Sequence, residues 1–238
     1  MYIKTPQFYD AIYSFKDYCE EAQRLEAFIT KHLLSGGNRL LDVACGTGHH
    51  IQYLMEHFNS EGIDLSQEML EIARQRTPGI PYHHADMIDF NLNRKYDVVT
   101  CLFSSIGYVM TLDNLSRAVT CMANHLLPGG VLLIEPWFTP EAWHPGMVHA
   151  NYIDEPELKI ARINTSHVEG RLSYFDFHYL VGTPEGVEYF IERHELGLFT
   201  QDEMHAALAG VGLEVTYDEQ GLMGRGLYIG SKPLKAGS

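Results

Sequence analysis

The sequence is poor in cysteine: of 238 residues only Cys19, Cys45, Cys101 and Cys121 are cysteines, and no two are spaced as a CxxC pair. That excludes a disulfide framework and a zinc knuckle, and it makes a reducing cytoplasm the expected compartment. Long apolar runs are missing as well. None approaches the roughly 20 residues that span a bilayer, and the opening stretch, with Asp10, Lys16 and Asp17, has no signal-peptide core. Dense Lys/Arg runs are absent, and 17 basic against 31 acidic residues give a formal charge of −14. A phosphate backbone or an anionic membrane surface would repel such a chain, so neither nucleic acid nor membrane is expected as a partner. There are no repeats or low-complexity tracts. The 13 histidines include the adjacent pairs His49-His50 and His83-His84, whose side chains point apart, and no HExxH or H-x₃-H spacing occurs. No metal site is expected.

What is present is a core-forming composition, 45% hydrophobic and 11% aromatic, enough for one α/β domain with an elaboration. A helical pattern over 18–34, with Ala22, Leu25, Phe28, Ile29 and Leu33 on one face, stops at Ser35-Gly36-Gly37-Asn38. Buried strands are predicted at 39–44, 60–65, 82–85, 96–103 and 131–135. Between them lie helices from the glycine turn to 58, from the Ser66 N-cap to 76, and over 112–126, the last closed by Leu127-Pro128-Gly129-Gly130. This alternation predicts a parallel sheet with helices on both faces. The rhythm changes at 136. Alternating stretches at 160–167, 172–180 and 187–195, separated by turn residues, predict an inserted antiparallel β-rich cap over 136–195. A helix from the Thr200 N-cap to 209 and strands at 213–217 and 226–230 then return to the main sheet as an antiparallel pair at its edge. The expected division is thus 1–135 with 196–238 as a ligand-binding domain, and 136–195 as the cap.

The most informative segment is Leu41-Asp42-Val43-Ala44-Cys45-Gly46-Thr47-Gly48. A strand that runs into close-spaced glycines lets backbone approach a ligand at a helix N-terminus. A dinucleotide fingerprint wants a third glycine three residues after Gly48, and Ile51 stands there. Asp42 lies near the first strand end, where a carboxylate meets a cationic amino group. Asp64 ends the next strand, where a carboxylate accepts from both ribose hydroxyls. Its plainer role as an N-cap is already filled by Ser66. Asp86, in His84-Ala85-Asp86-Met87, follows the third strand, where it accepts from an adenine amino group or is an ordinary loop acid.

Three acids after three successive strands, with a glycine turn after the first, resemble the class I S-adenosylmethionine-dependent methyltransferases. Tyr96-Asp97-Val98-Val99 and Leu126-Leu127-Pro128-Gly129-Gly130 match that family's later landmarks, and Ala44 departs from it where glycine is usual. In finer detail the chain resembles the nucleotide-linked aminosugar N,N-dimethyltransferases. The matching stretches are Val43-Ala44-Cys45-Gly46-Thr47-Gly48, Phe103-Ser104-Ser105-Ile106-Gly107-Tyr108, Glu135-Pro136-Trp137, Gly224-Arg225-Gly226-Leu227 and Phe8-Tyr9-Asp10-Ala11-Ile12-Tyr13.

The resemblance implies a Rossmann-like fold, S-adenosylmethionine as cofactor and N-methylation of a small molecule. It implies that Tyr13, Tyr18, Asp42, Ala44, Gly46, Gly48, Asp64, Leu65, Met69, Asp86, Met87 and Phe103 hold the cofactor, with Leu65 and Met69 against the adenine faces. Tyr9, Ser105, Trp137 and Arg225 are expected at the acceptor, Arg225 on a phosphate or in a salt bridge to the cap. Tyr13 is expected nearest the methyl group. Tyr108 is expected to position the amine or a sugar hydroxyl; an amine can do without a base, whereas a hydroxyl acceptor would recruit His178 or His194, of which His178 is taken as the catalytic candidate. Three rivals stay open: an O-methyltransferase, an enzyme that uses S-adenosylmethionine without donating its methyl, and a cofactor-binding regulator without turnover. The partner expected is a small-molecule substrate; a homodimer stays open.

Overall fold

The computed structural model describes residues 6–234; the outermost residues of the expected division, 1–5 and 235–238, lie outside it. A short helix α1 (Tyr9–Ile12) precedes the long α2 (Tyr18–His32). The βα units follow as β1 (Arg39–Val43), α3 (His49–Leu54), β2 (Asn59–Asp64), α4 (Gln67–Arg76), β3 (Tyr82–His84), β4 (Tyr96–Cys101), α5 (Leu112–Asn124) and β5 (Leu126–Ile134). Four long strands come next: β6 (Val148–Glu155), β7 (Leu158–Glu169), β8 (Leu172–Thr183) and β9 (Gly186–Gly197). The chain ends through α6 (Gln201–Gly210), β10 (Glu214–Asp218) and β11 (Leu227–Ser231).

Seven strands form one sheet in the order β10-β11-β5-β4-β1-β2-β3, parallel except for β11, which runs antiparallel to both neighbours. Buried on both faces, its strands read as continuous apolar runs. Leu41, Val43, Val99 and Cys101 pack toward α5 and α6, whereas Leu40, Val98 and Leu133 pack toward α2. On α2, Ala22, Leu25 and Ile29 recur at helical spacing and are all buried, and Asp17 caps the helix by accepting from Glu20 N at 2.9 Å. Strand order reverses between β1 and β4, which opens a crevice at their carboxyl ends.

Two details differ from the sequence reading. The Pro128-Gly129-Gly130 segment is inside β5 and is not a helix stop. An irregular register between Tyr96 and Val98 absorbs it, and Gly129 O accepts from Leu34 N and Ser35 N. The second sheet has four antiparallel strands in the order β6-β7-β8-β9, and β6 carries no alternating pattern because nearly all its residues are exposed. Otherwise strand and helix boundaries fall within a few residues of expectation, apart from α3, which ends at Leu54.

The turn after β1 is held by packing as well as by backbone geometry. Gly48 is the N-cap of α3 with φ +77°, and a Cβ there would lie 2.7 Å from Tyr82 Oη and 3.2 Å from Ala73 Cβ. Gly48→Ala therefore incurs the left-handed penalty and overpacking, partly offset by a stiffer unfolded chain. Urea unfolding should show a loss of about 2 kcal/mol.

Candidate active site

Three connected cavities occupy the crevice, and Tyr9 and Ser105 line all of them. The first, about 270 Å³, lies over the ends of β1 to β3 between Asp64, Leu65, Met69, Asp86, Met87 and Ile88. The second is a slot of about 30 Å³ between Tyr18, Asp42, Ala44, Gly46 and Phe103. The third, about 470 Å³, is roofed by the second sheet and walled by Tyr13, Trp137, Trp143, Phe175, Phe177 and Arg225, among others.

Asp64 accepts from Gly46 N and Ser66 N, both at 2.8 Å, so its carboxylate ties the glycine turn to the end of β2. Burial still pushes its pKa up. Gly46 has φ +55° and open space where a Cβ would stand, while Ala44 holds a left-handed conformation with its methyl in place. Asp42 is buried and accepts from Thr100 Oγ1 at 2.7 Å. Burial pushes its pKa up to about 6 against the pull of His50 and Thr100. Among the described residues, no lysine or arginine lines the first two cavities. That suits a nucleoside carrying a cationic arm and offers nothing to neutralise a pyrophosphate.

A strap formed by α1 and the loop to α2 closes over the turn. Asp10 accepts from Thr47 Oγ1 at 2.9 Å and pairs with His49 and with Arg76. Burial works to raise the Asp10 pKa, but His49 and Arg76 outweigh it and hold it below the ordinary value. Tyr18 stacks on His49 with ring centroids 4.3 Å apart. Lys16, fully enclosed, reaches Glu21 at 2.7 Å and lies 3.8 Å over the Phe103 ring; Glu21 in turn holds His50 Nε2 at 2.8 Å.

Several expected residues stand elsewhere than assigned. Of the three cavities Tyr13 lines only the third, where its hydroxyl accepts from Arg162 Nη1 at 3.2 Å, so it does not face the slot beside Asp42. Gly48 lines none of the cavities and serves the turn. His178 is exposed on the outer face of β8, bonded to Tyr189 Oη at 2.6 Å. It cannot serve as a base, because its register places it opposite in face to the inward Phe175 and Phe177. His194, the alternative, points inward and bonds Tyr108 Oη through Nδ1 at 2.7 Å. Tyr108 itself lines both large cavities. Among the described residues Arg225 forms no ion pair; it donates to Ser104 Oγ at 2.9 Å and lies over the rings of Phe103, Trp137 and Phe138 at about 5.5 Å. Trp137 lines the third cavity and donates to Ser173 Oγ.

Sequence reasoning missed Arg162, Lys16 and Glu21. Arg162 is 7% exposed on β7, donates to Asn151 Oδ1 and, among the described residues, has no hydrogen-bond partner at Nε. The signal was its parity: Ile160, Arg162, Asn164 and Ser166 share the inward face. For Lys16 and Glu21, a spacing of five across a loop carries no periodic signal.

The raised Asp42 pKa gives a stability test. Its ordinary value of 3.8 becomes about 6 in the fold, so the native state binds the extra proton between those pH values. Stability contributed by this group is lost as pH rises through that window. Asp42→Asn should therefore exceed wild type by about 3 kcal/mol at pH 7 and lose that advantage near pH 4, read by urea unfolding at each pH.

Residues 40–130 match the family model of a methyltransferase domain. The chain is 41% identical over 217 residues to a dTDP-3-amino-3,6-dideoxy-alpha-D-glucopyranose N,N-dimethyltransferase of Streptomyces fradiae, covering 90% of this chain and 85% of that one. It is 40% identical to the dTDP-4-amino-2,3,4,6-tetradeoxy-D-glucose N,N-dimethyltransferase of Saccharopolyspora spinosa, covering 93% and 90%. The crystal structure of DesVI from Streptomyces venezuelae superposes with a TM-score of 0.90 at 38% identity, covering 97% of this chain and 99% of that one. A SAM-bound amino pentose methyltransferase from Micromonospora echinaspora gives 0.86 at 36%, covering 98% of both. The chain belongs to the class I S-adenosylmethionine-dependent methyltransferases, in the group of the aminosugar N,N-dimethyltransferases.

Proposed function

We propose that this enzyme N-methylates the amino group of a nucleotide-linked aminosugar. The observation that carries the reading is the charge inside the third cavity: Arg162 and Arg225 line an aromatic chamber, and among the described residues neither forms an ion pair with a carboxylate. In a chain of net charge −14, two guanidinium groups in one aromatic chamber suit an anionic ligand such as a diphosphate. The stacking faces of Trp137, Trp143 and Phe175 suit a nucleobase or a sugar ring.

The residues of the first two cavities fit S-adenosylmethionine. Asp64 and Asp86 would hold the ribose and adenine, Leu65, Met69 and Met87 would wall the base, and Asp42 and Tyr18 would hold the aminobutyryl arm. Bound there, the cofactor supplies a methyl group made electrophilic by its sulfonium. What the chain does is align and dry the site. Tyr9 and Ser105 stand where the three cavities meet, and Phe103 packs edge-on against Tyr13 at 5.2 Å. Enclosure among aromatic rings disfavours an ammonium and keeps the amine lone pair free to attack.

The test is a panel of dTDP-linked 3-amino and 4-amino deoxysugars, the free aminosugars and simple phenols, each with S-adenosylmethionine. We expect one and two methyl additions on nitrogen of a nucleotide-linked sugar, with S-adenosylhomocysteine as coproduct. Methylation on oxygen alone, or equal rates with free aminosugars, contradicts the reading. Arg225→Met should raise KM for the nucleotide sugar about tenfold or more and change kcat little, as loss of a charge-assisted contact made equally in ground and transition states requires.

A further inference from the structure

His49 and His50 follow the glycine turn directly, in the first turn of α3, and both line the slot beside Asp42. Successive helical residues stand about 100° apart, and the two rings reach different elements. His49 Nε2 lies 3.0 Å from Asp10 Oδ1 on α1, and its ring stacks on Tyr18 with planes 8° apart. Asp10 is fixed further by Thr47 Oγ1 and Arg76. Tyr13 closes the same helix, and its hydroxyl accepts from Arg162 Nη1 in the third cavity. His50 Nε2 lies 2.8 Å from Glu21 Oε2 on α2, and Glu21 Oε1 holds Lys16 Nζ at 2.7 Å. The Lys16 ammonium sits 3.8 Å over the Phe103 ring, and the same ring carries the Arg225 guanidinium at 5.5 Å. Two neighbouring histidines of the turn thus begin two chains of contact. Each chain ends on one guanidinium of the acceptor chamber.

We propose that His49 and His50 are positioning residues that couple occupancy of the cofactor slot to acceptor binding. His49 acts through Asp10 and Tyr13 on Arg162, and His50 acts through Glu21 and Lys16 on Arg225. The inference rests on the reading that the aminobutyryl arm fills the slot and a nucleotide-linked acceptor meets the two guanidinium groups. Both chains are stiff where they must carry a displacement. Lys16, Glu21 and His50 are all buried, and a buried charge parted from its partner is strongly penalised, so the three side chains shift together. The Glu135 carboxylate attracts both Lys16 and Arg225, which lets two like charges share one ring. On the other chain, Asp10 and Tyr13 stand three residues apart across a single helical turn, so moving one moves the other.

A ligand shifts a distant site only through contacts that differ between the two states. The arm supplies such contacts, because the slot it enters is walled by both imidazoles and by the Tyr18 ring. Held between them, the strap is ordered before the acceptor arrives. The acceptor then meets guanidinium groups already in place and loses less conformational freedom on binding. Coupling of this kind is reciprocal, so the acceptor tightens the cofactor by the same factor. The donor is retained while an acceptor is bound, and the acceptor site is complete only once the donor is present.

The experiment measures the Kd for dTDP by titration calorimetry, with and without saturating S-adenosylhomocysteine. Wild type is compared with His49→Ala, His50→Ala, the double alanine variant and the double glutamine variant. We expect S-adenosylhomocysteine to tighten dTDP about fivefold or more in wild type. Each single alanine variant should lose part of that ratio, and the double variant should fall below about twofold. Glutamine keeps an N–H donor near the Nε2 position and should preserve most of the ratio. A general weakening of either ligand leaves the ratio unmoved, so a merely structural role would keep it at the wild-type value. In wild type, amide exchange over residues 9–17 should slow when S-adenosylhomocysteine alone is added. A wild-type ratio near one overturns the coupling, and so does a ratio retained in the double alanine variant. A ratio lost equally in the glutamine variant, or exchange over 9–17 unchanged by S-adenosylhomocysteine, also overturns it. If dTDP fails to bind wild type even with S-adenosylhomocysteine present, the acceptor reading itself fails, an outcome visible before any variant is made.

Discussion

Much of this site hangs on one backbone contact at the end of β4. Phe103 and Ser104 both sit in the left-handed region, at φ +49° and +62°, a conformation costing each non-glycine residue about 1 kcal/mol or more. Phe103 N–H donates to the Glu135 carboxylate at 2.6 Å, and Ser104 Oγ donates to Pro136 O at 2.7 Å. Glu135 is buried at the end of β5, where burial raises its pKa against the pull of Lys16 and Arg225. This turn brings three functions to one place. It presents Phe103 to Lys16 and Tyr13 of the strap, Ser104 to Arg225, and Ser105 and Tyr108 to the meeting point of the cavities. The strain is offset by contacts from the neighbouring strand, the strap and the C-terminal hairpin together.

Charge is sorted within the crevice. Carboxylates line the two cavities proposed for the cofactor, and guanidinium groups line the one proposed for the acceptor. A cationic donor and an anionic acceptor therefore each meet the opposite sign, and exchanging them would place like charges together in a poorly solvated space. The arrangement discriminates by repulsion as well as by attraction. The roofing sheet makes this possible, because its inward faces alternate polar and aromatic groups: Arg162 and Asn164 on β7, Phe175 and Phe177 on β8, Glu192 and His194 on β9.

The cofactor half was legible in the sequence because its signals are local. A glycine turn, an acid at each of two strand ends and an N-cap serine are spaced along contiguous residues, and Asp42, Asp64 and Asp86 lie where the strand pattern put them. The acceptor half was legible only in part. Arg225 stood out between glycines, but Arg162 and the parity of His178 against His194 depend on which face of an antiparallel strand is covered. One residue of register decides that. The exposed β6 gave no alternation, and Lys16 with Glu21 is a contact across a loop. Such pairings belong to tertiary structure, and local patterns do not encode them.

The central claim is that donor and acceptor approach each other where Tyr9, Ser105 and Tyr108 line both large cavities. A crystal structure of the enzyme with S-adenosylhomocysteine and a dTDP-linked aminosugar tests it most directly. The account predicts the diphosphate on Arg162 and Arg225 and the sugar amine within hydrogen-bonding distance of Tyr108 Oη, facing the sulfur. A sugar bound with its amine turned away from Tyr108, or a diphosphate held elsewhere, would contradict it.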